Sequence, residues 1–379
     1  MAKEVEVLII GAGLSGLVLS RILSKRMKVK VIERKNKVGF VKRKIDLVEN
    51  SDNLDKILEK LKIKPSCMGR QSVWHSKNEE FGLRLSEIDY FLFERPLLEM
   101  QLAEEALDNG CELVVNASLV RINDGKVTYR KGGRTFEDNV DVIVGADGGD
   151  SNVANFVDVG RGHREYLYAY GVTGKFDNFD EGIPRLYFDK DLLDGGYVYV
   201  APHKLTTVCA VTRKDARLNY NRFVRKLHLK GEVLNYFSGK GNVTGFRKSI
   251  TRDNVLLVGE AAGLIDPCFG FGFKYAVISS YLAGKIILEN KELGLYEESV
   301  KRAIYPSIRR GGFNKKLLGK LDNTDMDLIL RILKELQEDG VNFTYPNREI
   351  IWGNKARIFG IFLKNPRLFL LIAKMLESY

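Results

Sequence analysis

Apolar residues along this chain fall into short blocks of two alternating kinds. Val5–Ile10 is a strand-forming run, and after a glycine turn Leu17, Leu19, Ile22 and Leu23 recur at helical spacing. Val29–Ile32 is a second strand run, so the first thirty residues predict a strand–helix–strand unit. The pattern predicts further helices over 54–61 and 94–107. In the second of these, Pro96 sits in the first turn, Gly110 lies just past the end, and Leu97, Leu98, Leu102, Ala106 and Leu107 form the apolar face. Strands are predicted at 112–115 and 126–129, with Asn123–Gly125 as a hairpin turn, and again from Val140 into an Asp-Gly loop.

The character changes from about residue 161. Short alternating runs rich in Tyr and Phe, such as Arg185–Phe188, Tyr197–Val200 and Thr207–Thr212, predict an inserted antiparallel sheet lasting to about 244. A buried strand at Val255–Val258 then leads through Gly259, Glu260, Pro267, Gly270 and Gly272 into an apolar helix from Lys274 to Leu288. Residues 296–379 read as helical, ending in Ile358–Leu363 and Leu368–Met375. The expected class is therefore α/β. A Rossmann-like nucleotide domain (1–74, 95–160, 245–295) carries an inserted substrate sheet (75–94, 161–244) and a helical C-terminal region (296–379). No repeat or low-complexity segment interrupts it.

Composition narrows the picture modestly. With 379 residues the chain can bury two cores, and its apolar fraction is that of a globular protein. The first apolar run belongs to the first strand, not to a signal peptide, and no apolar stretch reaches the roughly 18–20 residues that span a bilayer. Four scattered cysteines (Cys67, Cys111, Cys209, Cys268) without a CxxC pair argue against zinc, a cysteine-ligated cluster or a disulfide scaffold, and fit a reducing cytoplasm. No metal site is expected. The net charge of +11 is concentrated in 25–44, 222–230 and the C-terminal third. It is read first as a solvated lysine-rich surface, with an anionic membrane or a phosphorylated substrate as the partners it could draw and no nucleic-acid partner expected.

The chemistry is in the glycines. Gly11 permits a tight turn, Gly13 lets the backbone approach a pyrophosphate, and Gly16 allows close helix–strand packing. Glu33, at the end of the second strand, is placed to accept hydrogen bonds from a ribose. The later glycines bring backbone amides and a helix N-terminus to an electron-rich group.

Four elements in this order resemble the flavoprotein superfamily of para-hydroxybenzoate hydroxylase and the geranylgeranyl reductases. They are Gly11-x-Gly13-x-x-Gly16 with Glu33, Arg95 opening a helix, Asp147-Gly148 after a strand, and Gly259-Glu260 before Pro267 and Gly270/Gly272. The resemblance spans about the first 290 residues. It implies FAD as cofactor, held by Gly11, Gly13, Ser15, Gly16, Glu33, Arg34, Lys44, Ile45, Arg95, Val120, Asp147, Gly148, Gly259, Glu260, Gly270, Gly272 and Phe273. Within these roles, Glu33 takes the adenosine ribose, Arg95 the phosphate–ribityl region and Glu260 the ribityl hydroxyls. Gly272 and Phe273 present amides to the pyrimidine edge.

Tyr197–Lys204 is similar to the YxWxxPxK-type segment of geranylgeranyl reductases, with Tyr199 in place of Trp, which implies Tyr197, Tyr199 and Pro202 as substrate residues. Three departures stand out. Lys44–Leu47 occupies the place of the reductases' flavin-side cysteine, Glu260 that of an aspartate, and Ala154 that of an arginine after the Asp-Gly loop. The resemblance implies an FAD-dependent oxidoreductase that reduces C=C bonds of geranylgeranyl-type isoprenoids in archaeal-type membrane-lipid synthesis. NAD(P)H or a ferredoxin would supply electrons to this cytoplasmic protein, which would have peripheral membrane contact. A flavin monooxygenase of the same fold, or a non-catalytic prenyl-binding relative, are the alternatives. Catalytic residues are not assigned; Tyr197, Tyr199, His203 and Cys268 are proton-donor candidates by position alone.

Overall fold

Unbroken apolar blocks form a parallel sheet here because layers cover both its faces. The computed structural model describes residues 5–340, apart from 41–43, 86, 124, 157–163 and 194, and beyond them Pro366 alone. The expected helical run through Ile358–Leu363 and Leu368–Met375 lies outside the described residues. In the six-stranded sheet, Val7–Ile10 lies between Val142–Gly145 and Val29–Glu33, with Glu112–Val115 on one side and Val255–Leu257 and Thr251–Arg252 on the other. All its pairings are parallel except that of the last two strands. The chain reverses direction across this sheet at Val7–Ile10, the switch point where open α/β sheets bind ligands.

The helices, in order, are α1 (Leu14–Leu23), α2 (Leu54–Lys60), α3 (Arg95–Asp108), α4 (Asn152–Phe156), α5 (Ala216–Leu227), α6 (Phe273–Leu288), α7 (Gly294–Ala303), α8 (Tyr305–Lys320) and α9 (Asn323–Glu338). The sequence predicts one buried face for α1, but the helix is buried nearly all round because α3 and α6 both pack on it. Even Arg21 is buried there, paired with Glu105 of α3 and donating to the Leu61 carbonyl. Helix α6 is buried along most of its length, so its apolar composition is that of a core helix.

The inserted sheet has seven strands, in the order Gly231–Asn242, Tyr166–Phe176, Thr206–Thr212, Tyr197–Ala201, Arg185–Tyr187, Gln71–His75 and Glu80–Arg84. It is antiparallel except where Arg185–Tyr187 pairs parallel with Gln71–His75. Strand pairing moves one expected boundary. Gln71–Trp74, assigned from sequence to the nucleotide domain, is hydrogen-bonded into this sheet, and no change of composition marks the crossing. Tyr90–Glu94 instead joins Ile45–Glu49 and Cys67–Gly69 in a small sheet between the two units. Helix α5 covers one face of the seven-stranded sheet, with Tyr220 and Phe223 buried against it. No helix among the described residues is long and apolar enough to cross a membrane.

Candidate active site

The turn at Gly11–Gly16 has the shape its glycines predict. Gly11 has φ +108° and packs on the Ala146 backbone, while a side chain at Gly16 would run into the Gly11 carbonyl. Gly13 differs, because a Cβ there would meet no protein atom within 4 Å. Helix α1 begins at this open position without a side-chain cap or an acid in its first turn, so its amides are free for an anion. Glu33 accepts from Ala12 N at 2.7 Å and from Lys35 N at 2.8 Å. Arg34 is exposed beside it.

Helix α6 supplies the second end of the groove. It too starts at a glycine, Gly272, with no side-chain cap and no first-turn acid. Asp266 shapes the loop before it by accepting from Cys268 N at 2.8 Å and Phe269 N at 2.6 Å, while Gly270 takes φ +73°. Phe273 stacks on Phe93 at 4.5 Å, and the Arg95 guanidinium lies over its ring at 5.6 Å. Ser280 Oγ donates to the Ser15 carbonyl at 2.8 Å, and Ser279 Oγ accepts from Gly259 N at 3.0 Å. One helix therefore holds both turns.

A cavity of about 590 Å³ opens beside the start of α6. Its walls are mainly apolar and aromatic, including Leu47, Trp74, Phe81, Leu186, Phe188 and Phe271, with α8 closing one side at Gly311 and Phe313. A narrow slot lined by Asp46–Glu49, Tyr199 and Gly270–Lys274 adjoins it and shares Leu47, Glu49, Phe271 and Lys274 with it. At the polar end, buried Lys274 reaches Glu49 at 2.8 Å and Asp52 at 3.2 Å and donates to Ser51 Oγ. Burial alone would lower its pKa, but Glu49, Tyr275 and then Asp52 outweigh it and hold the ammonium well above the ordinary lysine value. Burial pushes the Asp89 carboxyl, also on this wall, up to about 6, although Ser72 Oγ donates to it at 3.2 Å. Asp266 is raised by burial as well.

The other residues expected from the sequence are distributed unevenly. Arg95 reaches inward but is engaged, donating to Asp46 at 2.7 Å and Glu99 at 2.7 Å. Lys44 contributes its carbonyl to Arg95 N, and Ile45 is buried in the strand beneath. Asp147 turns onto its own loop, accepting from Ser151 Oγ at 2.6 Å and Asn152 N at 2.7 Å, while Gly148 (φ +83°) has open space beside it. Glu260 accepts from Asn242 N at 2.9 Å, and the Asn242 side chain donates to the Gly149 carbonyl, so this acid ties the late turn to the inserted sheet. Val120 is exposed on the strand Ala117–Asn123, at a register irregularity.

Among the proposed substrate residues, only Tyr199 lines the slot. The Tyr197 hydroxyl is committed to the Phe269 carbonyl at 2.6 Å, and Pro202 lines neither the large cavity nor the slot, its carbonyl instead accepting from Gly182 N. His203 is held between Glu94 and Glu181 and lines neither space. Cys268 faces a separate, smaller cavity, and burial pushes its thiol up to about 12. Sequence reasoning missed Lys274, Glu49 and Asp89. The signal for the first was a lysine inside an otherwise apolar helix; the acids gave none. It missed Arg247 too, which donates to the Ala261 carbonyl at 2.6 Å and lies near enough to Asp147 to feel its charge. Arg247 brings a cation to the loop whose expected arginine is replaced by Ala154.

Two bare helix starts, an open glycine cradle and a strand-end acid fit a long dinucleotide. Residues 4–185 match the FAD binding domain family. The chain therefore carries an FAD-binding domain. Among proteins with such a domain its likeness is to the geranylgeranyl reductase group. Digeranylgeranylglycerophospholipid reductase 3 of Methanosphaera stadtmanae is 24% identical over 318 residues, covering 75% of this chain and 77% of its own. The structure of a geranylgeranyl bacteriochlorophyll reductase-like protein from Thermoplasma acidophilum matches with a TM-score of 0.80 at 20% identity, over 98% of this chain and 99% of that one. p-Nitrophenol 4-monooxygenase PnpA from Pseudomonas putida has the same fold, with a TM-score of 0.72 at 16% identity over 89% and 95%.

Proposed function

We propose that the protein reduces carbon–carbon double bonds of geranylgeranyl-type isoprenoid lipids. The observation that carries this reading is the large apolar cavity abutting the start of α6. Its volume lies within the roughly 300–1,000 Å³ of small-molecule sites. FAD, when bound, supplies the hydride. Gly11–Gly16 and Glu33 would hold its adenosine and pyrophosphate portion, and the amides after Gly272 would stabilise the negative charge that develops on the flavin ring on reduction.

An isolated alkene offers no carbonyl to polarise, so the chain's contribution is position and dryness. Leu47, Phe269 and Phe271 would hold the prenyl chain against the slot and keep water out. Asp89, with its raised pKa, is the wall acid best suited to hold a proton near neutral pH. The positive charge and the apolar cavity suit a lipid drawn from the cytoplasmic face of a membrane.

The test is anaerobic incubation of dithionite-reduced, FAD-loaded protein with digeranylgeranylglycerol phosphate, followed by mass spectrometry. Gain of two mass units per reduced bond is expected. No gain at full FAD occupancy, together with substrate-dependent oxygen consumption driven by NADPH, would assign the site to monooxygenation instead.

A further inference from the structure

A second cavity, of about 260 Å³, lies behind Phe188 and Phe269. These rings stand on the walls of both cavities and meet edge to face at 6.4 Å. Three cations reach the smaller space from three separate elements: Lys190 from the loop after Arg185–Tyr187, Arg213 from the end of Thr206–Thr212, and Lys315 from α8.

The local charges do not balance. Arg213 and Lys315 share one carboxylate, that of Glu165. Lys190 Nζ donates to a carbonyl, that of Leu318, at 2.6 Å. The acids next to Lys190 in sequence are engaged elsewhere, Asp189 with Lys226 and Asp191 with Lys77. Cys268 adds no negative charge, because its buried thiol stays protonated. A concave space with one apolar wall and an excess of cations favours an anionic group. Its walls include neither the Gly11–Gly16 turn nor the start of α6, so it is separate from the cofactor groove.

We propose that this cavity binds the phosphate-bearing head group of the amphiphile whose chain occupies the larger cavity, with Lys190, Arg213 and Lys315 as counter-ions. The proposal rests on reading the larger cavity as a prenyl-chain site. The chemistry recognised is a phosphate ester, and free phosphate presents the same oxygens.

Isothermal titration of the FAD-loaded protein tests it with three probes: inorganic phosphate, dihexanoyl phosphatidylglycerol below its micellar concentration, and uncharged dihexanoylglycerol. The anionic amphiphile should bind about tenfold more tightly than the neutral one. Lys190→Gln and Lys315→Gln should each cut that preference roughly threefold or more, leaving neutral affinity unchanged. Glu165→Gln should raise anion affinity about two- to fivefold by releasing Arg213 and Lys315, a gain that damaged folding would not produce. Competition by inorganic phosphate would support a site open to the free ion, and its failure to compete would confine the site to the lipid head group. Equal affinity for the two amphiphiles, or an unchanged preference in both lysine variants, would overturn the proposal. Retained preference without any bond reduction would instead overturn the proposed reaction and leave this site standing.

Discussion

The Glu33 carboxylate accepts the Ala12 amide at 2.7 Å, so the end of the second strand pins the turn between Gly11 and Gly13. Alanine at position 33 removes that acceptor and the one serving Lys35. FAD retention should weaken by roughly 1–3 kcal/mol. Flavin absorbance after dialysis reads this directly, and Glu33→Gln, which keeps one acceptor oxygen, should fall between wild type and alanine.

Gly13 and Gly16 should separate ligand binding from folding. Alanine at Gly16 places a methyl against the Gly11 carbonyl and should cost about 1–3 kcal/mol in the cofactor-stripped protein. Alanine at Gly13 meets no protein atom, so the stripped protein should change by about 0.5 kcal/mol or less while losing FAD affinity. Thermal unfolding with and without FAD checks both, and equal effects of the two substitutions would refute the distinction.

Lys274 is a cation enclosed by two carboxylates. Lys274→Met removes the partner of Glu49 and leaves Asp52 paired only with Arg310 among the described residues, and should destabilise by roughly 2–3 kcal/mol. Adding Glu49→Gln should recover part of the loss. Urea denaturation of the single and double variants measures the coupling, and simple additivity would mean the groups do not act together.

Asp89 makes stability fall as pH rises. Between the ordinary aspartate value and about 6, the folded protein holds a proton that the unfolded chain has released. The proton is lost from the folded state above that range, leaving a buried charge. Asp89→Asn should therefore stabilise at pH 7.5 by on the order of 2 kcal/mol and be nearly neutral at pH 4. Denaturation midpoints at the two pH values decide it; equal gains at both would place the effect elsewhere.

Leu186 lines the large cavity from the inserted sheet. Leu186→Trp shortens the space, so reduction of a twenty-carbon prenyl chain should drop about tenfold or more while a ten-carbon chain is spared. Parallel turnover assays give the ratio.

The nucleotide-binding half was readable because its rules are local. Glycine spacing, β-branched strand runs and the strand-end Glu33 each declare themselves within a few residues. The edges were less readable. Arg134–Asn139 is a strand made almost wholly of exposed polar residues, so no alternation marks it. Helix α5 buries Ala216, Asn219, Tyr220 and Phe223 at helical spacing, a stripe interleaved with arginines and asparagines inside a segment otherwise dominated by strand runs. The cavity was not legible at all, since its walls join residues from Leu47 to Leu333. The Tyr197–Lys204 segment suggested a common role for its members, yet Tyr197 and Tyr199, neighbours on one face with rings 6.4 Å apart, differ in what they touch. Tyr197 bonds the Phe269 carbonyl while Tyr199 lines the slot, and the following turn leaves His203 between Glu94 and Glu181.

Helix α6 begins at the ring-edge turn with Gly272 and meets the pyrophosphate turn halfway along, where Ser280 bonds to Ser15. It acts as a caliper, with a jaw separation fixed by the rise of about eight helical residues, roughly 12 Å. A flavin's ring and its nearer phosphate would have to match that fixed spacing whether or not an adenosine follows. The rod would therefore gauge the ribityl span and leave discrimination between FAD and its shorter relative to Glu33 and the adenosine side.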